Sequence, residues 1–177
     1  MFRFVKLNHD YLEIIYLWRK SEAVSRFMLT EISSDINDHY KWFENIRNNS
    51  SYQYWVIHFN NVPIGLINLA KIDRVHRHLS IGYYIGEKKF RSLGALIPPY
   101  VYNYVFREMN FHKIYGEVIG GNDKVLKMHA IHGYREVGVF KDHHYRDEKF
   151  YDVFLIELLS RDWCQLKKYE KYIEKFN

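Results

Sequence analysis

A single cysteine, Cys164, is all the chain has, which excludes an internal disulfide and a cysteine-rich metal site. No stretch reaches the ~18 consecutive apolar residues that cross a bilayer as a helix, so no membrane partner is expected. The opening MFRFVKLNHD lacks both a long apolar run and a small-residue cleavage site, and a cytoplasmic location is the expectation. Runs of like charge are missing too. Lys167-Lys168 is soon met by Glu170, and 26 basic against 21 acidic side chains leave a net charge of only +5. No basic stripe interleaves with the aromatics, so no nucleic-acid partner is expected. A field this mild either helps to draw in a phosphate-bearing small molecule or simply solubilises the chain. Internal repeats and low-complexity linkers are also absent.

What is present suits one domain over residues 1–177, with 47% hydrophobic and 18% aromatic residues to build a core. Phe2 to Lys6 reads as a strand. Tyr11, Ile14, Ile15 and Trp18 share one helical face, as do Ile36, His39, Phe43 and Ile46 behind the cap candidates Ser33, Ser34 and Asp35. Tyr52 to Phe59 and Val62 to Asp73, joined by Asn60-Asn61, form a predicted hairpin. His76 to Ile85 makes a third strand of that run. A loop, Gly86 to Pro99, leads into a helix over Tyr100 to Met109. His112 to Ile119 is a strand, and a short helix follows it, capped by Asn122 and ended at Gly133. Tyr134 to Lys141 and Lys149 to Leu158 are strands around a charged loop, Asp142 to Glu148. Leu166, Tyr169, Ile173 and Phe176 predict a helical tail within residues 160–177, against its own domain or a partner subunit such as a second copy. The order β-α-α-β-β-β-α-β-α-β-β predicts an α/β (α+β) fold, one mixed sheet of about seven strands with helices on both faces.

Two segments offer chemistry. The stretch Glu87 to Ala95 leaves a strand and enters a helix, carries Lys88, Lys89 and Arg91, and has Gly94 where backbone can approach closely. It reads either as a phosphate cradle or as an ordinary connection with solvated lysines. The second, Asn122 to Tyr134, places Val125 and Met128 one turn apart and His129 three residues before His132. Ten histidines invite a metal, yet none forms the helical pair with an intervening Glu that a zinc hydrolase needs. A Gly-x-Ser-x-Gly elbow, a Walker loop and a dinucleotide fingerprint are absent.

Taken together, a strand, a basic glycine loop, a helix, a strand, then Asn122 with Gly133-Tyr134 eleven residues on, resemble the GNAT N-acetyltransferases over about residues 2 to 163. Arg91-Ser-Leu-Gly94-Ala-Leu96 is similar to that family's pyrophosphate loop, with Leu96 where a small residue is usual and Pro98-Pro99 as a second departure. A finer likeness, to acetyltransferases of pseudaminic (nonulosonic) acid biosynthesis, is carried by Leu17-Trp18-Arg19, Phe27-Met28-Leu29-Thr30, His39-Tyr-Lys-Trp42-Phe43, Gly65 to Ile72, and Tyr151-Asp152-Val153 with Asp162-Trp163.

The resemblance implies direct acetyl transfer from acetyl-CoA to an amine, without a metal. The finer likeness implies a UDP-linked 4-amino-4,6-dideoxy sugar as acceptor. Other family members sharing the pattern acetylate dTDP-amino sugars, ribosomal protein N-termini or polyamines, and a non-catalytic CoA-binding domain is a further alternative. On this likeness, Arg91, Ser92, Leu93, Gly94, Ala95 and Leu96 would hold the pyrophosphate. Asn122, Lys124 and Met128 would hold the rest of the cofactor, and a backbone N–H at Tyr84 or Ile85 would meet the thioester carbonyl. Glu117 is the first choice as proton acceptor, with Asn68 and Lys71 orienting the amine or its water. His129 stands where the family often has a tyrosine acid. With an ordinary imidazole value near 6.5 it would be partly charged at neutral pH and able to protonate the thiolate. Met28, His39, Trp42 and Tyr83 are the expected acceptor contacts.

Overall fold

The computed structural model describes residues 1–177. Seven strands form one sheet: β1 (Phe2–Lys6), β2 (Gln53–Phe59), β3 (Val62–Asp73), β4 (His78–Ile85), β5 (Lys113–Ile119), β6 (Arg135–Arg146) and β7 (Lys149–Leu159). Their spatial order is β1-β2-β3-β4-β5-β7-β6. Every neighbouring pair is antiparallel except β4 and β5. The helices are α1 (Leu12–Lys20), α2 (Glu22–Ser25), α3 (Ile36–Arg47), α4 (Pro98–Asn103), α5 (Asp123–Ile131) and α6 (Ser160–Trp163).

Alternation along the strands separates two apolar layers. On the front, Leu12, Ile15 and Trp18 of α1 and Phe43 of α3 pack with Val56 and Leu66. On the back, Val101 and Tyr102 of α4, with Val125 and Leu126 of α5, cover Ile57, Ile67, Leu79 and Ile114. Asp35 caps α3 as expected, accepting from the Asn37 N–H at 2.9 Å. Gly133 follows α5 with φ +90°, the left-handed geometry that ends a helix on glycine.

Three expectations are corrected. Segment 142–148 is not a loop. β6 runs on to Arg146, and only Asp147 and Glu148 turn, both at positive φ as a two-residue hairpin demands. The predicted helix over Tyr100 to Met109 begins at Pro98 as α4 and ends in a π-helical turn, Tyr104–Glu108. The tail is not one helix. After α6 it holds only a 3-10 turn, Lys167–Tyr169, and then follows the rest of its own chain. The Asn103 amide donates to the Tyr169 and Tyr172 carbonyls at 2.9 Å each, satisfying backbone that a helix would have satisfied itself. Phe176 stacks on Phe4 at 4.4 Å and on Tyr104 at 4.3 Å, and bridges to β1 in parallel. Ile173, assigned to the same helical face, is exposed.

Candidate active site

β4 and β5 pair only at His78↔Lys113, Leu79↔Ile114 and Ser80↔Tyr115. Beyond those three rungs both strands continue, β4 to Ile85 and β5 to Ile119, without a partner in each other. The sheet is therefore open along a wedge. Glu117 and α5 flank it on one side, Tyr83 to Ile85 on the other. The Gly86 N–H donates to the Ile64 carbonyl, so by the two-residue alternation the Tyr84 N–H faces β3 and the Ile85 N–H faces the wedge. Of the two backbone donors expected for a thioester carbonyl, only that of Ile85 is on the open side.

Two features at the rim suit an anionic, amide-bearing cofactor. Lys88, Lys89 and Arg91 are exposed and joined to no carboxylate. Lys124, in the first turn of α5, is exposed as well. Asn122 begins α5, but its side chain does not cap it, which leaves the amide to other partners. The loop itself differs from expectation. Lys88–Leu96 is wound into 3-10 turns, in which N–H groups bond carbonyls three residues back, so Arg91 to Leu96 do not present an open set of donors.

Front-face residues gather beside the wedge. Glu117 lies on β5, an interior strand, opposite Leu155 of β7. Lys71 sits where the β3–β4 register slips, at φ +52°. Such a bulge re-aims a side chain, and here the ammonium comes within 3.8 Å of the Glu117 carboxylate. Asn68, opposite Gly82, lies over that glycine: a methyl there would come within 2.7 Å of Asn68 Oδ1. The structure thus brings Glu117 and Lys71 together, with Asn68 three residues before Lys71 on β3.

His129 departs from what the spacing suggested. The ring is buried, its Nδ1 lies 3.3 Å from the Tyr102 hydroxyl, and burial pushes its imidazole down to about 4. The partly charged state at neutral pH expected of a thiolate acid is therefore corrected to a neutral one. His132, also buried, is pushed down to about 4 as well.

Tyr83 and Tyr84 are successive strand residues and face opposite ways. Tyr84 packs with the front layer; Tyr83 packs with the back layer, its hydroxyl donating to Met128 Sδ of α5 at 3.2 Å. Tyr83, expected as an acceptor contact, thus lies on the back face, with Met128 as its partner there.

The front also holds a cluster of side chains with polar groups to spare. Arg19 Nε, His39 Nε2 and the Tyr84 hydroxyl are buried without a hydrogen-bond partner. The guanidinium charge acts on His39, Tyr54 and Tyr84. Trp42 stacks on His39 at 4.9 Å and meets the Tyr54 ring edge-on at 5.2 Å. The half-buried Met28 belongs to the loop between α2 and α3, which is held from two sides. Arg19 Nη2 donates to the Thr30 carbonyl at 2.9 Å and its hydroxyl at 3.1 Å. From the far hairpin, Arg146 donates to the carbonyls of Ser25 at 3.1 Å, Arg26 at 2.8 Å and Met28. No three His, Cys, Asp or Glu side chains are grouped as metal ligands.

Sequence reasoning names Arg19 only within the Leu17-Trp18-Arg19 likeness and gives no role to it, to Tyr54 or to Arg146. Arg19 reads as a basic residue in the last turn of a helix. Arg146 lies in a segment whose charge predicts a loop. Neither position carries a local signal, because its partners are contributed by distant segments.

Comparison with known proteins fits this geometry. The Acetyltransferase (GNAT) domain family matches residues 2–135. The acetyltransferase PseH of Campylobacter jejuni (strain 81-176) is 23% identical over 126 residues, 71% of this chain and 78% of that one. A putative ribosomal N-acetyltransferase, YdaF of Bacillus subtilis, is 29% identical over 101 residues, 56% of this chain and 55% of that one. The spermidine N-acetyltransferase of Vibrio cholerae, solved with CoA and spermine, superposes with a TM-score of 0.86 at 17% identity, covering 92% of this chain and 98% of that one. With its mixed seven-stranded sheet opened between β4 and β5, and a family match spanning most of its length, this chain belongs to the GNAT family of acetyl-CoA-dependent N-acetyltransferases.

Proposed function

We propose that the acceptor is the amine at carbon 4 of a UDP-linked 4-amino-4,6-dideoxy sugar, acetylated for nonulosonic (pseudaminic) acid biosynthesis. The observation that carries this reading is the trio of unpartnered buried groups, Arg19 Nε, His39 Nε2 and the Tyr84 hydroxyl. Buried polar groups left unpaired are costly, and a ligand rich in acceptor oxygens relieves that cost. A nucleoside diphosphate supplies such oxygens, and the Trp42–His39 stack with Tyr54 supplies an aromatic wall for its apolar parts. A polyamine brings positive charge to a cluster that already holds the Arg19 guanidinium, which weighs against the substrate named for the structural neighbour. The likeness to PseH supports the same reading.

In this scheme acetyl-CoA and the sugar nucleotide meet across the wedge from the back and the front. The Glu117 carboxylate takes the proton of the attacking amine, and Lys71, 3.8 Å away, orients it. The Ile85 N–H faces the thioester carbonyl, where negative charge develops.

The test is thiol release from acetyl-CoA with the purified chain. UDP-4-amino-4,6-dideoxy-N-acetyl-altrosamine is offered beside dTDP-4-amino sugars, spermidine and a ribosomal-protein N-terminal peptide. Selective turnover of the UDP-sugar is the expected result. Preference for any other acceptor overturns the assignment. CoA binding with no turnover of any acceptor also overturns it, in favour of a binding domain.

A further inference from the structure

The thiolate that leaves during acetyl transfer must gain a proton, and His129, buried and neutral, does not hold one to give near pH 7. We propose that the Tyr83 hydroxyl is the proton donor to the departing thiolate, making Tyr83 a catalytic residue of the transfer. This rests on the family activity alone and not on the identity of the acceptor.

Position is the first argument. Tyr83 lies three residues beyond Ser80, the last β4 residue paired with β5, and so stands on the lip of the wedge. Its side chain lies on the back face, with α4 and α5, on the other side of the sheet from the Arg19–His39–Tyr84 cluster. An acyl carbon facing the Ile85 N–H leaves its sulfur in the same opening, so donor and leaving group share one gap.

The hydroxyl's partner is the second argument. Tyr83 Oη–H points at Met128 Sδ, 3.2 Å away. A thioether is a weak acceptor. The O–H is thus aimed at sulfur without being tied to a strong partner, and an anionic sulfur would outcompete the thioether for it. Tyr102, the neighbouring phenol on α4, is instead engaged with His129 Nδ1 at 3.3 Å. Desolvation raises the Tyr83 phenol, which keeps its proton on oxygen until an equally desolvated anion forms beside it.

The balance closes. As the tetrahedral intermediate collapses, the C–S bond breaks and its electron pair goes to sulfur. The Tyr83 O–H bond breaks and its proton joins the sulfur, giving the thiol. Solvent reprotonates the phenoxide after the thiol leaves, and the amine's proton has gone to Glu117.

Tyr83→Phe tests this, since it removes one oxygen and only a weak bond to Met128. On any acceptor that turns over, kcat should fall about 100-fold or more while the acetyl-CoA KM changes less than about threefold. A second readout needs no acceptor: calorimetric affinities for CoA and for desulfo-CoA at about pH 9, where the thiol is partly ionised. The unmodified chain should prefer CoA, Tyr83→Phe should lose that preference, and His129→Ala and Tyr134→Phe should keep it. Tyr134 is the relevant control because it is a second buried phenol in the same back layer. An undiminished kcat in Tyr83→Phe overturns the proposal, as does an undiminished preference, or loss of the preference in Tyr134→Phe alone. Failure of the UDP-sugar assignment would leave the calorimetric comparison untouched.

Discussion

Acidification should destabilise this protein through two histidines before its carboxylates are protonated. His129 and His132 are both buried, and each is pushed from an ordinary value of 6.5 to about 4. Burial is the main cause in both; for His129 the next is His132, and for His132 the Lys168 ammonium. Both folded-state values are depressed, so the unfolded chain binds protons first as pH falls below 6.5. Stability is whole above that value, declines between 6.5 and about 4, and levels off below. The full span for His129 is about 3 kcal/mol, and at pH 5 about 2 kcal/mol of it is gone. His132 loses about as much, so roughly 4 kcal/mol disappears between pH 8 and pH 5, a large share of a typical domain's stability. Glu157, held low by Arg135, and Asp152, held low by Lys141, keep their contributions throughout that window, since theirs fade only below the ordinary carboxylate range. His39 and His58, also lowered by burial, add a smaller slope of the same sign. Urea unfolding at half-unit steps from pH 8 to 5, for the unmodified chain and for a His129→Leu/His132→Leu variant, measures the effect. A flat profile in the unmodified chain, or an equal decline in the variant, would refute the reasoning. The same value leaves about one folded molecule in a thousand with a charged His129 at pH 7.

Three further outcomes are expected. Glu117→Gln should lower kcat about 100-fold in thiol-release assays while leaving thermal stability unchanged, because its exposed 3.8 Å pair with Lys71 contributes under about 1 kcal/mol; a normal kcat would remove Glu117 as the base. Arg146→Ala frees the carbonyls of Ser25 at the end of α2 and of Arg26 and Met28 in the loop beyond it, and should raise the acceptor KM about tenfold with the acetyl-CoA KM steady; equal rises in both would show general loosening instead. Gly86→Ala would place Cβ 2.1 Å from Trp18 Cγ, in a ring that is buried and bonded to Glu87 at 3.0 Å, and should cost about 3 kcal/mol in denaturant unfolding; an unchanged midpoint would mean that α1 moves aside freely.

The sheet was legible in the sequence because its signals are local. Alternating apolar residues and the Asn60-Asn61 turn marked β2 and β3, and Gly133 marked the end of α5. Where packing decides, the local signal misled. Asp142 to Arg146 look like a loop by charge, yet β7 offers them a partner strand. The tail aromatics fit a helical period, yet each finds its own slot: Tyr169 against Trp163 at 4.9 Å, Phe176 against Phe4. At the site, Glu117, Lys71 and Asn68 could be chosen from strand positions, but their approach depends on a bulge that the sequence does not announce. The depressed value of His129 depends on Tyr102 and the back layer, and the Arg19–His39–Tyr84 trio is drawn from three separate elements. Facing was the clearest limit. Adjacent tyrosines at the end of β4 offer equal chemistry, and only the register assigns one to each side.

The opening between β4 and β5 also bears on how the chain is made. Strands β1 to β4 come from residues 2–85 and pair antiparallel, each with its neighbour in the chain, before any of β5 exists. β5, β7 and β6 form a second set within residues 113–159. The two sets are joined by the sheet's one parallel pairing, which is three rungs long. Contacts close in sequence form quickly, while parallel pairing across a crossover is slow. During synthesis the first set can therefore close at its own pace, and the join waits for the second. That seam is then also the last part of the sheet to be completed, and Lys71 of β3 and Glu117 of β5 come together only at that final step.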